Sequence, residues 1–88
     1  MLCYIITYDL IQPGRSYENL HNAIRSYERW AKITESVWAV VTQRNAVSIR
    51  DHLSTYLDAN DRIFVIKSGA EAAWKNTICE HQWLQGNL

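Results

Sequence analysis

The carboxylate best placed for chemistry is Asp9. It ends an otherwise apolar run, Leu2 to Asp9, at a position where Asn, Ser or Gly would serve a plain turn equally well. A carboxylate there can hold a divalent metal ion, or it can simply cap the turn that follows. We predict a ligand or metal-binding role for Asp9, with turn capping as the alternative.

Three further polar residues are predicted to share an edge of the sheet with Asp9. Arg15 follows the Pro-Gly signal of the loop after the first strand, beside the start of a helix whose free N–H groups favour an anion. We predict that Arg15 contacts phosphate, the alternative being a solvated loop residue. Ser36 is a candidate catalytic polar group or a plain hairpin residue. Asp61 closes an Asp-Ala-Asn-Asp cluster that is typical of turns, so a chemical role is the less favoured interpretation for it.

Other reactive residue types are not arranged for a recognisable chemistry. The three histidines, His21, His52 and His81, fall on three separate predicted helices, and Cys79-x-His81 has no partners at zinc spacing. There is no nucleophile elbow and no phosphate loop, which argues against triad hydrolases and nucleoside triphosphatases. The four tryptophans could stack on nucleic-acid bases, although core or interface positions are the more usual use.

The elements that must position these residues follow from the apolar periodicity. Strands are predicted at 2–9, 31–34, 37–42 and 62–67, an amphipathic helix after Ser16, a second helix capped by Asn45, and a helical tail over 70–85. This order predicts an α+β, ferredoxin-like βαββαβ sandwich with an antiparallel sheet in the order 4-1-3-2 and a C-terminal helical tail. We expect a single domain over 1–88, with the core at 1–68 and the tail at 69–88.

The predicted first, third and fourth strands are apolar on both faces. The two helices cover one face only, so the other face needs a cover, either the tail or a second copy of the chain. We predict a homodimer that is joined through the sheet faces, because burial of an open sheet face is a large term for so small a domain.

Composition limits the classes of function. The chain has 88 residues with nine basic and nine acidic side chains, so any nucleic-acid binding must come from a local cluster. Two unpatterned cysteines and the lack of a signal peptide or membrane-length apolar run favour a cytoplasmic protein that does not bind a membrane.

The order of these motifs resembles a known family. A strand ending in Tyr8-Asp9, an amphipathic helix, Glu35-Ser36-Val37-Trp38 at the third strand and the stretch from Leu57 to Ile66 are similar to the small CRISPR-associated proteins called Cas two. The related virulence-associated protein D toxins share this plan, and the Pro-Gly-Arg-Ser-Tyr loop is similar to that of the stand-alone bacterial group known as SinR-family proteins. The resemblance covers about residues 1–68.

The resemblance implies a ferredoxin-like homodimer in which Asp9 faces its copy and helps to hold magnesium, with Ser36 nearby. It also implies cleavage of RNA, or less favourably DNA, in a defence or toxin–antitoxin setting. A non-catalytic dimeric module that binds a protein or nucleic acid is the alternative, and a small-molecule sensor is a third. The neutral charge and the helical tail depart from the family pattern.

Overall fold

A computed structural model describes residues 1–11 and 17–88 of the chain. The elements in chain order are β1 (Leu2–Asp9), α1 (Glu18–Arg25), β2 (Arg29–Thr34), β3 (Val37–Thr42), α2 (Ala46–Ser54), β4 (Arg62–Lys67) and α3 (His81–Asn87). The predicted Pro-Gly turn, the Ser16 cap and Arg15 lie outside the described residues.

The four strands form one sheet in the order β2-β3-β1-β4, with antiparallel pairing throughout. This is the predicted order 4-1-3-2 read from the opposite edge, so the strand order and the α+β class are confirmed. β1 and β3 lie in the centre, where their β-branched and aromatic residues are buried. β2 and β4 form the two edges.

The first sheet face carries the main core. Side chains from β1 and β3 pack there against α1 and α2; the fully buried members are Ile6, Leu20, Ile24, Trp38, Val40, Ile49 and Leu53. The apolar stripe of α1 faces the sheet, as its three- and four-residue spacing predicts. Asn45 caps α2 as expected, since its side-chain oxygen accepts a hydrogen bond from the Ser48 amide at 2.9 Å.

The second sheet face is covered over one half. Trp83 and Leu88, in and after α3, pack against a small cluster of Cys3, Ala39 and Val41 on β1 and β3. The Ile78 amide also donates to the Ile33 carbonyl at 2.9 Å, which ties the C-terminal segment to the β2 edge. The tail therefore covers the β2–β3 half of this face.

The predicted continuous tail helix over 70–85 is wrong in extent. Residues 69–80 are not helical, and the helix runs only from His81 to Asn87. Alanines at 70, 72 and 73 favour a helix by propensity, but propensity is a weak determinant where tertiary contacts decide. The Ile78 amide donates to the Ile33 carbonyl on β2 instead of to a carbonyl within a helix.

The β1–β4 half of the second face is open. Thr7 lies opposite Phe64, and Ile5 lies opposite Ile66, so these side chains share a face. Phe64 is 59% and Ile66 51% exposed. We call Thr7, Phe64 and Ile66 the open patch. The structure thus covers one half of this face by the tail and leaves the open patch without a cover from the described residues.

Candidate functional site

Asp9 lies at the exposed end of β1, on the side of the sheet that carries the open patch. It alternates with Tyr8, whose side chain is in the main core, and it is the cross-strand neighbour of Arg62. Its Oδ2 lies 3.7 Å from Nη1 of Arg62, and the Asp9 side chain is 69% exposed. An ion pair this exposed contributes little to folding, so the carboxylate is available to a ligand.

Asp61 lies near the same edge but is occupied by structural hydrogen bonds. Its Oδ1 accepts from the Ile11 amide at 2.8 Å, and its Oδ2 accepts from the Asp58 amide at 2.8 Å. The Tyr17 hydroxyl also donates to Oδ2 at 3.1 Å. Asp61 therefore ties the start of β4 to Ile11, which follows β1, and to Tyr17, which precedes α1. This agrees with the favoured interpretation of a turn residue.

Ser36 is exposed in the tight turn between β2 and β3, as the sequence predicts. Its carbonyl accepts a hydrogen bond from the Tyr8 amide at 3.3 Å, which continues the β1–β3 pairing to the sheet edge. The turn thereby holds Ser36 next to the end of β1. Asp9 and Ser36 line the same cleft, so the structure brings together two of the three predicted site residues; the third, Arg15, lies outside the described residues.

The cleft has a volume of about 460 Å³ and lies between the end of β1, α1 and the β2–β3 turn. Its lining residues are Tyr8, Asp9, Leu10, His21, Lys32, Glu35 and Ser36. The volume falls within the roughly 300–1,000 Å³ of small-ligand sites. Sequence reasoning missed His21, Lys32 and Glu35 as neighbours of Asp9.

A hydrogen-bonded chain supports the wall of this cleft. The buried Trp38 Nε1–H donates to the Tyr8 hydroxyl oxygen at 2.9 Å, and that hydroxyl lies 3.4 Å from Nε2 of His21. Partial burial lowers the pKa of His21, and the nearby charges of Lys32 and Arg25 lower it further. His21 is therefore held as a neutral ring at pH 7, with the Tyr8 hydroxyl oriented toward it.

Metal-binding capacity within one chain is limited. Among residues 1–11 and 17–88, no group of three or more His, Cys, Asp or Glu side chains could surround a metal ion. At the cleft each chain offers two exposed carboxylates, Asp9 and Glu35, whereas Asp61 is engaged. Magnesium is commonly bound through one or two carboxylates, with water and substrate phosphate completing its shell. A second carboxylate from another copy would meet that need.

A second polar cluster lies away from the Asp9 cleft. Tyr27 and His52 form a hydrogen bond of 2.8 Å near Arg44 at the opposite end of the sheet. Burial lowers the pKa of His52, with a further contribution from Arg44.

None of the described helices is long and apolar enough to cross a membrane.

Comparison with known proteins gives no assignment: no family model matches the chain, and no curated protein matches it.

Proposed function

We propose that the chain acts as a homodimer that packs through the open patch and cleaves phosphodiester bonds of RNA with the help of magnesium. The observation that carries this proposal is the placement of Asp9, exposed and on the same sheet face as Phe64 and Ile66. A two-fold axis through that face would bring two Asp9 carboxylates together. The element order supports a ferredoxin-like fold, and the motif order supports membership of the Cas two-like group.

A second copy is the favoured cover for the open patch. Phe64 and Ile66 are each about half exposed, and burial of the remainder contributes on the order of 1 kcal/mol per side chain. A two-fold interface buries two copies of each side chain, one from each chain. Two Asp9 carboxylates brought together at the axis would repel each other, and the Arg62 guanidinium beside each carboxylate would offset part of that repulsion.

Each protomer's residues have distinct roles in this proposal. Two Asp9 side chains would hold the magnesium ion, which supplies charge neutralisation at the phosphate and activation of water when bound. Arg62, at 3.7 Å from Asp9, is placed to donate to a phosphate oxygen once the carboxylate turns to the metal. Ser36 is placed to hydrogen-bond the substrate from the neighbouring turn. A contact of Arg15 with phosphate stays a prediction.

The cleavage test compares two aspartates that each pair with an arginine. Asp9→Asn is expected to abolish magnesium-dependent cutting of single- or double-stranded RNA and to leave the dimer intact. Asp51→Asn is the matched control, because Asp51 is similarly exposed and lies 2.9 Å from Arg50, away from the site. EDTA should stop the cutting by the unmodified protein. Undiminished cutting by Asp9→Asn would sink the mechanism.

The dimer test uses one change on the open patch and one outside it. Phe64→Asp should weaken self-association at least about tenfold, because it removes apolar burial and places a charge in the interface. Ile78→Asp is the control, since Ile78 is 55% exposed at the other edge of the sheet. Sedimentation velocity over a range of concentrations measures both variants. Equal dissociation constants would contradict packing through the open patch.

A non-catalytic dimeric module is the second candidate function. Its support is the small number of exposed carboxylates at the cleft, Asp9 and Glu35, since Asp61 is held by its hydrogen bonds. Such a module would bind a protein or nucleic acid in a defence or toxin–antitoxin setting. A stable dimer that cuts neither RNA nor DNA with any divalent metal would favour it. We further propose a cytoplasmic location, which the two free thiols of Cys3 and Cys79 support.

A further inference from the structure

A group of cationic and aromatic side chains surrounds the ring of Trp38. The guanidinium carbon of Arg25 lies 5.4 Å from the centre of this ring, and the ammonium nitrogen of Lys32 lies 5.6 Å from it. The rings of His21 and Trp30 lie 5.7 Å and 5.8 Å away. We call His21, Arg25, Trp30 and Lys32 the Trp38 cluster.

Two elements create this cluster by their periodicity. His21 and Arg25 are four residues apart on α1 and so share one helix face. Trp30 and Lys32 are two residues apart on the edge strand β2 and share the sheet face that α1 covers. Trp38, on the next strand, is fully buried beneath them. The cluster is thus a built surface with an aromatic floor, placed at a sheet edge that solvent can reach.

The cluster places two cations, Arg25 and Lys32, side by side, with Glu18, Glu35 and Glu80 also close to it. Arg25 and Lys32 lie within cation–π distance of the same indole, and Arg25 also lies 5.7 Å from the ring of Trp30. Glu35 lies 3.7 Å from Lys32 but is 90% exposed, so solvent screens this pair. Composition required a local cluster for any nucleic-acid binding, and the structure provides a candidate.

Trp30 gives the cluster a stacking surface. It is 41% exposed, although a tryptophan of its size in a packed domain is normally well buried. Arg25 lies over one side of its ring. An exposed aromatic ring next to guanidinium and ammonium groups is the combination with which proteins hold single-stranded nucleic acid, because any base can stack and the cations follow the backbone.

The cluster is continuous with the Asp9 cleft. His21 and Lys32 belong to both, and Asp9 and Ser36 line the other side of the cleft. A strand that stacks on Trp30 and passes Lys32 would therefore reach the end of β1, and it would have to pass around the sheet end beside Ser36 to meet the Asp9 carboxylate on the other face. The surface is distinct from the open patch, which lies on the other face of the sheet at the β4 edge. A dimer that packs through the open patch would leave the cluster accessible.

We propose that the Trp38 cluster binds single-stranded nucleic acid, with a base stacked on Trp30 and backbone phosphates on Arg25 and Lys32. Binding stands on the cluster alone; delivery of the strand to Asp9 rests on the function proposed above. The substrate of that function would then be a single strand. A duplex presents no unstacked base to Trp30, so it binds less well.

The test measures the affinity of a fluorescein-labelled single-stranded 12-nucleotide RNA by anisotropy in EDTA, where magnesium-dependent cleavage is absent. Trp30→Ala should weaken binding roughly 5- to 150-fold, the range for loss of one stacked base, and Trp30→Phe should retain most of it. Lys32→Gln and Arg25→Gln should each reduce the slope of log K against log salt by about 0.7. Circular dichroism confirms that each variant is folded.

Two controls separate the cluster from other surface groups. Arg50→Gln removes an exposed arginine on α2, and Trp74→Ala removes a partly exposed tryptophan that donates to His81 at 3.2 Å. Both should bind the RNA as the unmodified protein does. If the cluster variants bind the RNA as tightly as the control variants do, the proposal is overturned. The absence of any binding at low salt would also overturn it.

The outcomes also separate this proposal from the proposed function. Cluster-dependent binding without cleavage under any metal would refute the nuclease and support the single-strand surface. Cleavage that depends on Asp9 but is unaffected by Trp30→Ala and Lys32→Gln at limiting substrate would refute the single-strand surface and support the nuclease.

Discussion

Substitution of Asp61 should destabilise the fold strongly, whereas substitution of Asp9 should leave its stability almost unchanged. Asp61 accepts hydrogen bonds from the Ile11 and Asp58 amides, each at 2.8 Å, and from the Tyr17 hydroxyl at 3.1 Å. Asp61→Ala removes all three partners at once. With about 1 kcal/mol for each partly exposed bond, the expected loss is about 3 kcal/mol of unfolding free energy. That is a large share of the roughly 5–15 kcal/mol that stabilises a typical domain.

Asp9→Ala should have almost no effect on folding. Its 3.7 Å pair with Arg62 is solvent-exposed on both sides, and such pairs contribute about 0–1 kcal/mol. Asp9→Ala should therefore unfold at nearly the same denaturant concentration as the unmodified protein, while Asp61→Ala unfolds at a clearly lower one. The buried Trp38 provides a fluorescence signal for urea titration.

The result that would refute this reasoning is the reverse order of stabilities, or equal losses in the two variants. Asp61→Asn refines the test. Its amide oxygen can still accept from one backbone amide, but the second oxygen and the charge are lost. An intermediate stability is expected, and a stability as low as that of Asp61→Ala would show that the charge dominates over the number of bonds.

The remaining predictions concern titration, thiol reactivity and helix capping. The pKa values of His21 and His52 are lowered, chiefly by burial, so the unfolded state binds more protons than the folded state below about pH 6.5. The melting temperature should therefore fall as the pH is lowered through that range. The fall should be less steep in His52→Gln. Burial raises the pKa of the Cys3 thiol, against a smaller opposing effect of its hydrogen bond with Ser68, so iodoacetamide should modify the more exposed Cys79 first, as mass spectrometry of peptides would show. Asn45→Ala should cost about 1 kcal/mol in urea unfolding, because the Ser48 amide loses its capping partner.

Much of the fold could be predicted because local and global signals agree. β1, β3 and β4 run between the predicted residues, since their β-branched runs are bounded by turn residues. Helix α1 ends earlier than its apolar spacing allows, at Arg25, because residues 26–28 turn the chain into the edge strand β2. Periodicity alone does not distinguish the last helical turn from an apolar residue in the following connection.

The division of the second sheet face could not be predicted. Apolar residues on both faces of β1, β3 and β4 indicate that a cover is needed, but they do not say which segment supplies it. Trp83 and Leu88 reach the β2–β3 half, because the segment before α3 is anchored at the β2 edge through Ile78. This long-range contact has no local sequence signal.

The candidate site could be predicted only in part, because some of its residues are brought together by long-range packing. Antiparallel topology places Asp9 and Ser36 at one edge, and the structure has both at the same cleft. His21 and Lys32 were missed because their approach depends on how α1 packs over β2. The four-residue spacing of His21 and Arg25 and the two-residue spacing of Trp30 and Lys32 were the available signals, although neither pattern by itself shows that the two pairs converge on Trp38.

The pairing of carboxylates across a dimer is the claim on which the proposed chemistry depends. A crystal structure of the dimer measures it directly, as the separation of the two Asp9 carboxylates. A separation of about 4–8 Å is predicted, since magnesium–oxygen bonds near 2.1 Å and a bridging water allow one shared ion at that spacing. Carboxylates more than roughly 12 Å apart, or a crystal and solution monomer with Phe64 in solvent, would contradict it.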